Sequence, residues 1–205
     1  MTEPSETLKD DIAFLRGLTE DTGQGLAKQG AVMVAVGGIF GVVTFAYWLM
    51  YMGWLGSWSP IGAGLWVAGL VLFFAVGVML ERRFKGQSSA AASRAVDAAW
   101  GGTGVSLLAA GIGLQLGGWR LGNPNLALWT FPIVMFTLYG AAWSVAFAVK
   151  RRAWFAWVAL GCFLTAIAEG ALMSSPHEWL LLSAGLLALV AAPGLAILRL
   201  SRAGG

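Results

Sequence analysis

The chain has 205 residues, of which 58% are hydrophobic and 11% are charged. A soluble domain has about a quarter of its residues charged, so this composition excludes an ordinary soluble protein and is typical of a membrane protein. The net charge of +3 does not indicate nucleic-acid binding, because the basic residues form short clusters beside apolar segments. Cys162 is the only cysteine, which excludes an intrachain disulfide and a zinc site built from cysteines.

The N-terminal segment 1–28 carries charges of both signs before the first long apolar run. A secretory signal peptide instead has a short basic start, a short apolar core and a cleavage site. We therefore predict an uncleaved cytoplasmic segment. Its apolar residues recur at helical spacing, at Leu8, Ile12, Leu15 and Thr19. This spacing predicts an amphipathic helix over 5–22 that ends at Gly23 and Gly25, and such a helix either lies on the membrane surface or binds a partner.

The segment from Ala31 to Trp54 contains no charged residue. At about 1.5 Å rise per residue, a helix of this length exceeds the roughly 30 Å hydrocarbon core of a bilayer, which predicts a membrane-spanning helix. The complete set of apolar segments, numbered as spans 1 to 6, is 29–53, 60–80, 97–118, 124–149, 153–173 and 176–198. The sequence therefore predicts an all-α membrane protein, with six transmembrane helices over 29–202 arranged as three hairpins.

The basic residues assign the two sides of the predicted bundle. Arg120 is the only Lys or Arg on one side. The others precede span 1 or follow spans 2, 4 and 6: Lys9, Arg16, Lys28, Arg82, Arg83, Lys85, Arg94, Lys150, Arg151, Arg152, Arg199 and Arg202. The positive-inside rule places this basic side, and with it the N-terminus and C-terminus, in the cytoplasm. We predict a multi-pass protein of the bacterial inner (plasma) membrane.

Tryptophans lie near both predicted interfaces, as expected of amphipathic rings at headgroup depth. The outer group is Trp54, Trp58, Trp119, Trp129 and Trp179, and the inner group is Trp100, Trp154 and Trp157. We interpret both groups as aromatic belts rather than as residues that stack on a ligand.

Three predicted spans open with a polar residue and a proline, at Ser59-Pro60, Asn123-Pro124 and Ser175-Pro176. A polar side chain at the helix N-cap accepts a hydrogen bond from a free N–H, and proline suits the first helical position. Glu178 follows Ser175 by three residues, which predicts a capping box.

Two further prolines, Pro132 and Pro193, lie inside spans 4 and 6. Each removes one helical N–H donor, so the carbonyl four residues earlier, on Leu128 or Leu189, loses its partner. We expect a kink at both positions.

Small residues predict where the helices pack closely. Span 1 carries Gly37 and Gly41 at GxxxG spacing, and span 3 carries Gly113 and Gly117 at the same spacing within a glycine-rich sequence. Lipid gives helices no hydrophobic reason to associate, so close backbone contact through small residues becomes important. We predict that span 3 is the helix most enclosed by protein, and that these faces pack either within the monomer or in a homodimer.

Glu169 lies in span 5, about one turn from its outer end. A carboxylate at this depth is costly and is usually paired, exposed to water or functional. Arg120, His177 and Gln115 lie near the same end of the predicted bundle, and with Glu169 they form a candidate polar pocket that faces the periplasm. Such a pocket suits a small transporter or channel. The alternatives are a structural salt bridge and a carboxylate that reaches headgroup water.

The chemical motifs of common enzymes are absent from the sequence, since it has no HExxH, GxSxG or GxxxxGK[ST] pattern. We therefore expect no catalytic residues, metal or cofactor. We predict a non-enzymatic protein of the lipid bilayer that associates with itself as a homo-oligomer or with a membrane-protein partner, in stress response or regulation. The alternative is a transporter or channel that uses the Glu169 pocket.

Two resemblances accompany this reading. The segment Asp11-Ile12-Ala13-Phe14-Leu15-Arg16-Gly17-Leu18, shortly before span 1, resembles the start of small six-helix inner-membrane proteins of proteobacteria that carry no assigned function. The layout of three hairpins with inside termini and basic stops is similar to that of the HdeD-type acid-resistance membrane proteins. These resemblances imply the fold and supply no functional residues.

Overall fold

A computed structural model of the chain describes residues 23–55, 60–84 and 91–203, and these residues form helices joined by short turns, without a strand among them. The helices are α1 (Gly23–Tyr51), α2 (Pro60–Arg83), α3 (Ala91–Arg120), α4 (Leu126–Lys150), α5 (Ala153–Ala171), α6 (Glu178–Leu186), a π-helical segment (Leu187–Ala191) and α7 (Ala192–Ala203). This architecture confirms the predicted all-α class.

Six helical stretches among the described residues are long and apolar enough to cross a membrane. They are Ala27–Tyr51, Gly64–Arg83, Ala95–Arg120, Leu126–Lys150, Ala153–Ala171 and Glu178–Ser201. The last of them, called the sixth span below, joins α6, the π-helical segment and α7. The grouping into three hairpins and the cytoplasmic position of both termini stay predictions.

The start of α1 differs from the sequence prediction. The predicted amphipathic helix over 5–22 lies outside the described residues. Gly23 and Gly25 do not interrupt α1, which begins at Gly23, six residues before the predicted start of span 1 at residue 29. The predicted end of the 5–22 helix stays a prediction. Glycine costs a helix only about 1 kcal/mol per residue relative to alanine, so an apolar helix of this length tolerates glycines in its first turn.

The helix contacts divide the bundle into two connected parts. In one part α1 packs against α2 on one side and along the whole sixth span on the other. In the other part α4 packs against both α3 and α5, and α5 contacts α6 to connect the two parts. An ion pair of 2.9 Å between Lys28 Nζ and Glu81 Oε2 joins the start of α1 to the end of α2. The core is centred on large side chains of α4, since Phe136 and Trp143 are completely buried.

Glycines allow α1 and the sixth span to approach closely. A Cβ atom added to Gly37 would lie 2.5 Å from the Ala191 nitrogen and 2.7 Å from the Leu186 carbonyl oxygen. One added to Gly194 would lie 2.9 Å from the Gly30 carbonyl oxygen. The GxxxG motif of span 1 therefore packs inside the monomer, which decides between the two predicted alternatives for Gly37.

The sixth span contains its π-helical segment just before Pro193, the second of the two positions where a kink was predicted. Pro193 has no N–H to donate, and the Ala192 N–H just before it donates to the Leu187 carbonyl, five residues back. One extra residue in this turn lets the helix continue past the proline. In α4, by contrast, the α-helix continues through Pro132.

The prediction that span 3 is the most enclosed helix is wrong. Only 11% of the apolar window of α3 is buried, against 50% for the sixth span. A Cβ atom added to Gly113 or Gly117 would meet no atom within 4 Å, and the same holds for Gly101, Gly102 and Gly104. Small residues permit a close approach but do not supply a neighbour, and α3 packs mainly against α4.

The helix starts at Pro124 and Pro176 also differ from the prediction. α4 begins at Leu126 and α6 at Glu178, in each case two residues after the proline. The Leu126 N–H donates to the Asn123 carbonyl at 3.1 Å, and the Glu178 N–H donates to the Ser175 carbonyl at the same distance. Each proline thus occupies the second position of a turn, where its fixed φ is equally suitable.

The predicted capping box at Ser175 is shifted by one residue. The Glu178 carboxylate accepts a hydrogen bond of 2.9 Å from the Ser174 N–H, not from that of Ser175. The Ser175 hydroxyl accepts one of 3.3 Å from the His177 N–H. Ser174 has a positive φ of 64°, which turns its N–H toward Glu178.

Part of the predicted inner aromatic belt is protein core. The ring of Trp143 is buried, and the rings of Trp100 and Trp154 pack on it with centroids 5.3 and 5.9 Å away. Trp157 on the same side is 71% exposed, as a belt residue should be.

Candidate functional site

Glu169 is carried into the core by the buried face of α5. The buried residues of this helix recur at spacings of three and four: Phe155, Ala159, Cys162, Ala166 and Glu169. Glu169 is the last of them and has no exposed surface. A carboxylate therefore occupies a position on this stripe where the helix pattern calls for an apolar side chain.

The environment of Glu169 leaves its carboxylate without a hydrogen bond. Neither oxygen has a partner among the described residues. A second acidic residue, Glu178 at the start of α6, is also buried, with 2% of its surface exposed. The Glu178 carboxylate, unlike that of Glu169, accepts the Ser174 N–H. Two buried acidic groups at the α5–α6 turn are costly in this membrane-spanning region, and such groups often bind ions, protons or water.

Glu169 makes no hydrogen bond with any of the other residues of the predicted polar pocket, Arg120, Gln115 and His177. Arg120 is exposed at the end of α3, and His177 is exposed just before α6. Gln115 lines a different cavity, which Glu169 does not line. Sequence reasoning treated Glu178 as a helix cap and missed it as the acidic neighbour of Glu169. The signal was its position directly after the Ser175-Pro176 turn, which folds α6 back along α5.

The second candidate site is a cleft of about 1120 Å³ between α1 and α2 on one side and α3 and α4 on the other. Small-molecule sites usually enclose about 300–1,000 Å³, so this cleft is large. Its walls are apolar, with aromatic side chains from both sides, including Phe40, Phe73 and Phe131. Leu182, Leu186 and Val190 of the sixth span complete the lining. The sequence contains no motif for this cleft, because it arises from the arrangement of the helices.

Polar groups of the cleft are concentrated at its ends. Lys28, Gln29 and Asp97 line one end, and Gln115 lines the other. Between them, the Thr44 hydroxyl donates to the Phe40 carbonyl at 2.8 Å, a hydrogen bond within its own helix. The Thr103 hydroxyl likewise donates to the carbonyl four residues earlier. Apart from the hydroxyl of Tyr139, which also lines the cleft, the middle of the cleft therefore offers an apolar surface.

The fold and these two sites define a class, a helical-bundle membrane protein with six apolar helices. A comparison with protein-family models, curated proteins and solved structures gave no match to this chain. The resemblances to small proteobacterial membrane proteins and to HdeD-type proteins therefore stay predictions.

Proposed function

We propose that this is a non-enzymatic integral membrane protein that acts by association within the bilayer, with a second copy or with a membrane-protein partner, in regulation or stress response. The observation that supports it is the contrast between two GxxxG motifs. Gly37 and Gly41 of α1 pack against the sixth span of the same chain. Gly113 and Gly117 of α3 have the same spacing, but the surface around them is open.

The open glycines belong to a wider face of α3. Its members share one side of the helix at spacings of three and four and are small: Gly102, Ser106, Ala109, Gly113 and Gly117. We call them the outer face of α3. Small side chains let a second helix approach closely enough for van der Waals contact between backbones, and a serine hydroxyl can donate across such an interface.

The test is Gly113→Leu with Gly64→Leu as its matched control. Both glycines lie in apolar helices, and a Cβ atom at either meets no atom within 4 Å, so the first side-chain atom of each variant has open space in the monomer. Inserting a large side chain into a close contact costs about 1–3 kcal/mol, so Gly113→Leu should weaken the complex roughly tenfold or more. Single-molecule photobleaching in native-membrane nanodiscs measures the fraction of complexes. Equal fractions for the wild type and both variants would contradict the proposal.

A second candidate function is transport through a polar site around Glu169 that faces the periplasm. The observation that favours it is the buried Glu169 carboxylate without a hydrogen-bond partner. Under this hypothesis, Glu169→Gln abolishes a pH-dependent cation flux into proteoliposomes while the protein stays folded. Glu81→Gln, at a carboxylate 72% exposed, is the control. Normal flux in the Glu169 variant would remove this candidate.

A further inference from the structure

The cleft is long enough to hold an extended molecule parallel to the helices. On α1 its lining runs from Lys28 to Thr44, which corresponds to about 24 Å of helix. On α3 it runs from Asp97 to Trp119, about 33 Å. The cleft therefore extends over most of the hydrocarbon thickness, which is about 30 Å.

The walls of the cleft favour a ligand whose main part is apolar. Aromatic and aliphatic side chains dominate them, and the two threonine hydroxyls between the ends donate to their own helices. Gly101 and Gly104 widen the cleft on the α3 side, since a Cβ atom at either would meet nothing within 4 Å. An acyl chain fits such a surface, because it needs no hydrogen-bond donor or acceptor along its length.

The end of the cleft that is lined by Lys28 and Asp97 carries charges that a lipid headgroup can bind. Lys28 lies on the α1 side of this end and Asp97 on the α3 side, so charges of opposite sign face the cleft from its two walls. Lys28 also pairs with Glu81 at 2.9 Å, which adds a second carboxylate nearby. A headgroup with only negative charge would meet both carboxylates. A headgroup with one negative and one positive group matches the two walls.

We propose that this cleft binds one zwitterionic phospholipid with a primary ammonium group, its acyl chains along the apolar walls, its phosphate at Lys28 and its ammonium at Asp97. The ring of Trp100 lines the same region and adds apolar surface beside the headgroup end. This site does not depend on association through the outer face of α3, because that face lies on the opposite side of the helix.

The test uses the full chain, reconstituted in equal parts of phosphatidylethanolamine, phosphatidylcholine and phosphatidylglycerol. Native mass spectrometry then measures which lipid stays bound. The primary ammonium of phosphatidylethanolamine can donate a hydrogen bond to the Asp97 carboxylate, which the quaternary ammonium of phosphatidylcholine cannot. One such bond of about 1 kcal/mol corresponds to a factor of about five, so we expect phosphatidylethanolamine to be retained about fivefold more than phosphatidylcholine. Retention in bulk proportions, or a preference for phosphatidylglycerol, would overturn the assignment.

Variants locate the bound lipid. Gly104→Leu extends a side chain into the cleft from a position where a Cβ atom has open space, and it should abolish retention. Gly64→Leu, outside the lining, should retain the lipid. Asp97→Asn should remove the preference for phosphatidylethanolamine over phosphatidylcholine, and Lys28→Gln should weaken retention of both, since both carry a phosphate. Equal retention in the two leucine variants would overturn the site, and an unchanged preference in Asp97→Asn would overturn the headgroup assignment.

Discussion

Gly37→Ala tests the close packing between α1 and the sixth span. The new methyl group would lie 2.5 Å from the Ala191 nitrogen and 2.7 Å from the Leu186 carbonyl oxygen. Non-bonded atoms prefer about 3.5–4.0 Å, so the two helices must separate by about 1 Å. Overpacking costs about 1–3 kcal/mol, and the upper end applies because both obstacles are backbone atoms. The higher helix propensity of alanine offsets about 0.5–1 kcal/mol of this cost, so the free energy of unfolding should fall by about 2 kcal/mol.

The matched control for this change is Gly38→Ala, one residue further along α1. A Cβ atom at Gly38 meets nothing within 4 Å, so this variant keeps only the propensity gain of about 0.5–1 kcal/mol. The two variants should therefore differ by about 3 kcal/mol in the free energy of unfolding. Tryptophan fluorescence during unfolding by SDS in mixed micelles measures this difference. Equal unfolding midpoints would refute the packing described for Gly37.

Two other predictions concern the same bundle. Ser183→Ala removes the hydrogen bond of 2.8 Å that the Ser183 hydroxyl donates to the Gly41 carbonyl, and it should cost about 0.6 kcal/mol in the same unfolding assay. Ser144→Ala, where the lost bond is within one helix, should cost less, and a larger cost there would contradict this account. For the predicted orientation, Gly122→Cys should react with a membrane-impermeant thiol reagent from outside and Gln87→Cys should not; the reverse pattern would overturn it.

The class of fold could be predicted from the sequence because it depends on local properties. Length and apolarity decide whether a helix spans a bilayer, and both can be counted along the chain. The packing of the helices could not be predicted in the same way. Gly37 and Gly113 have identical GxxxG spacing, yet one contacts the backbone of the sixth span and the other contacts nothing in the described chain. The GxxxG motif indicates how closely a second helix can approach. Whether a second helix lies there depends on the tertiary arrangement.

The two buried acidic residues, Glu169 and Glu178, were also only partly predictable from the sequence. Glu169 was identifiable because a carboxylate at membrane depth is rare and costly. Glu178 could not be identified as its neighbour in the same way. Several polar residues lie near the same end of the bundle, and their positions in the sequence do not indicate which of them lies nearest to Glu169. Arg120 could complement a carboxylate but is exposed, while Glu178, a second acidic residue, is buried as Glu169 is. The turn at 172–177 decides this, since it fixes α6 against α5 whatever the charges prefer.

The position of α3 connects the two proposals. Its contacts within the chain are mainly with α4, so most of its circumference is left for other neighbours. The glycines divide between two sides of that circumference. Gly101, Gly104 and Gly111 line the cleft, whereas Gly113 and Gly117 belong to the outer face. The lipid proposed for the cleft and the second helix proposed for the outer face would therefore meet different glycines of α3, so a substitution on one side tests one proposal without disturbing the other.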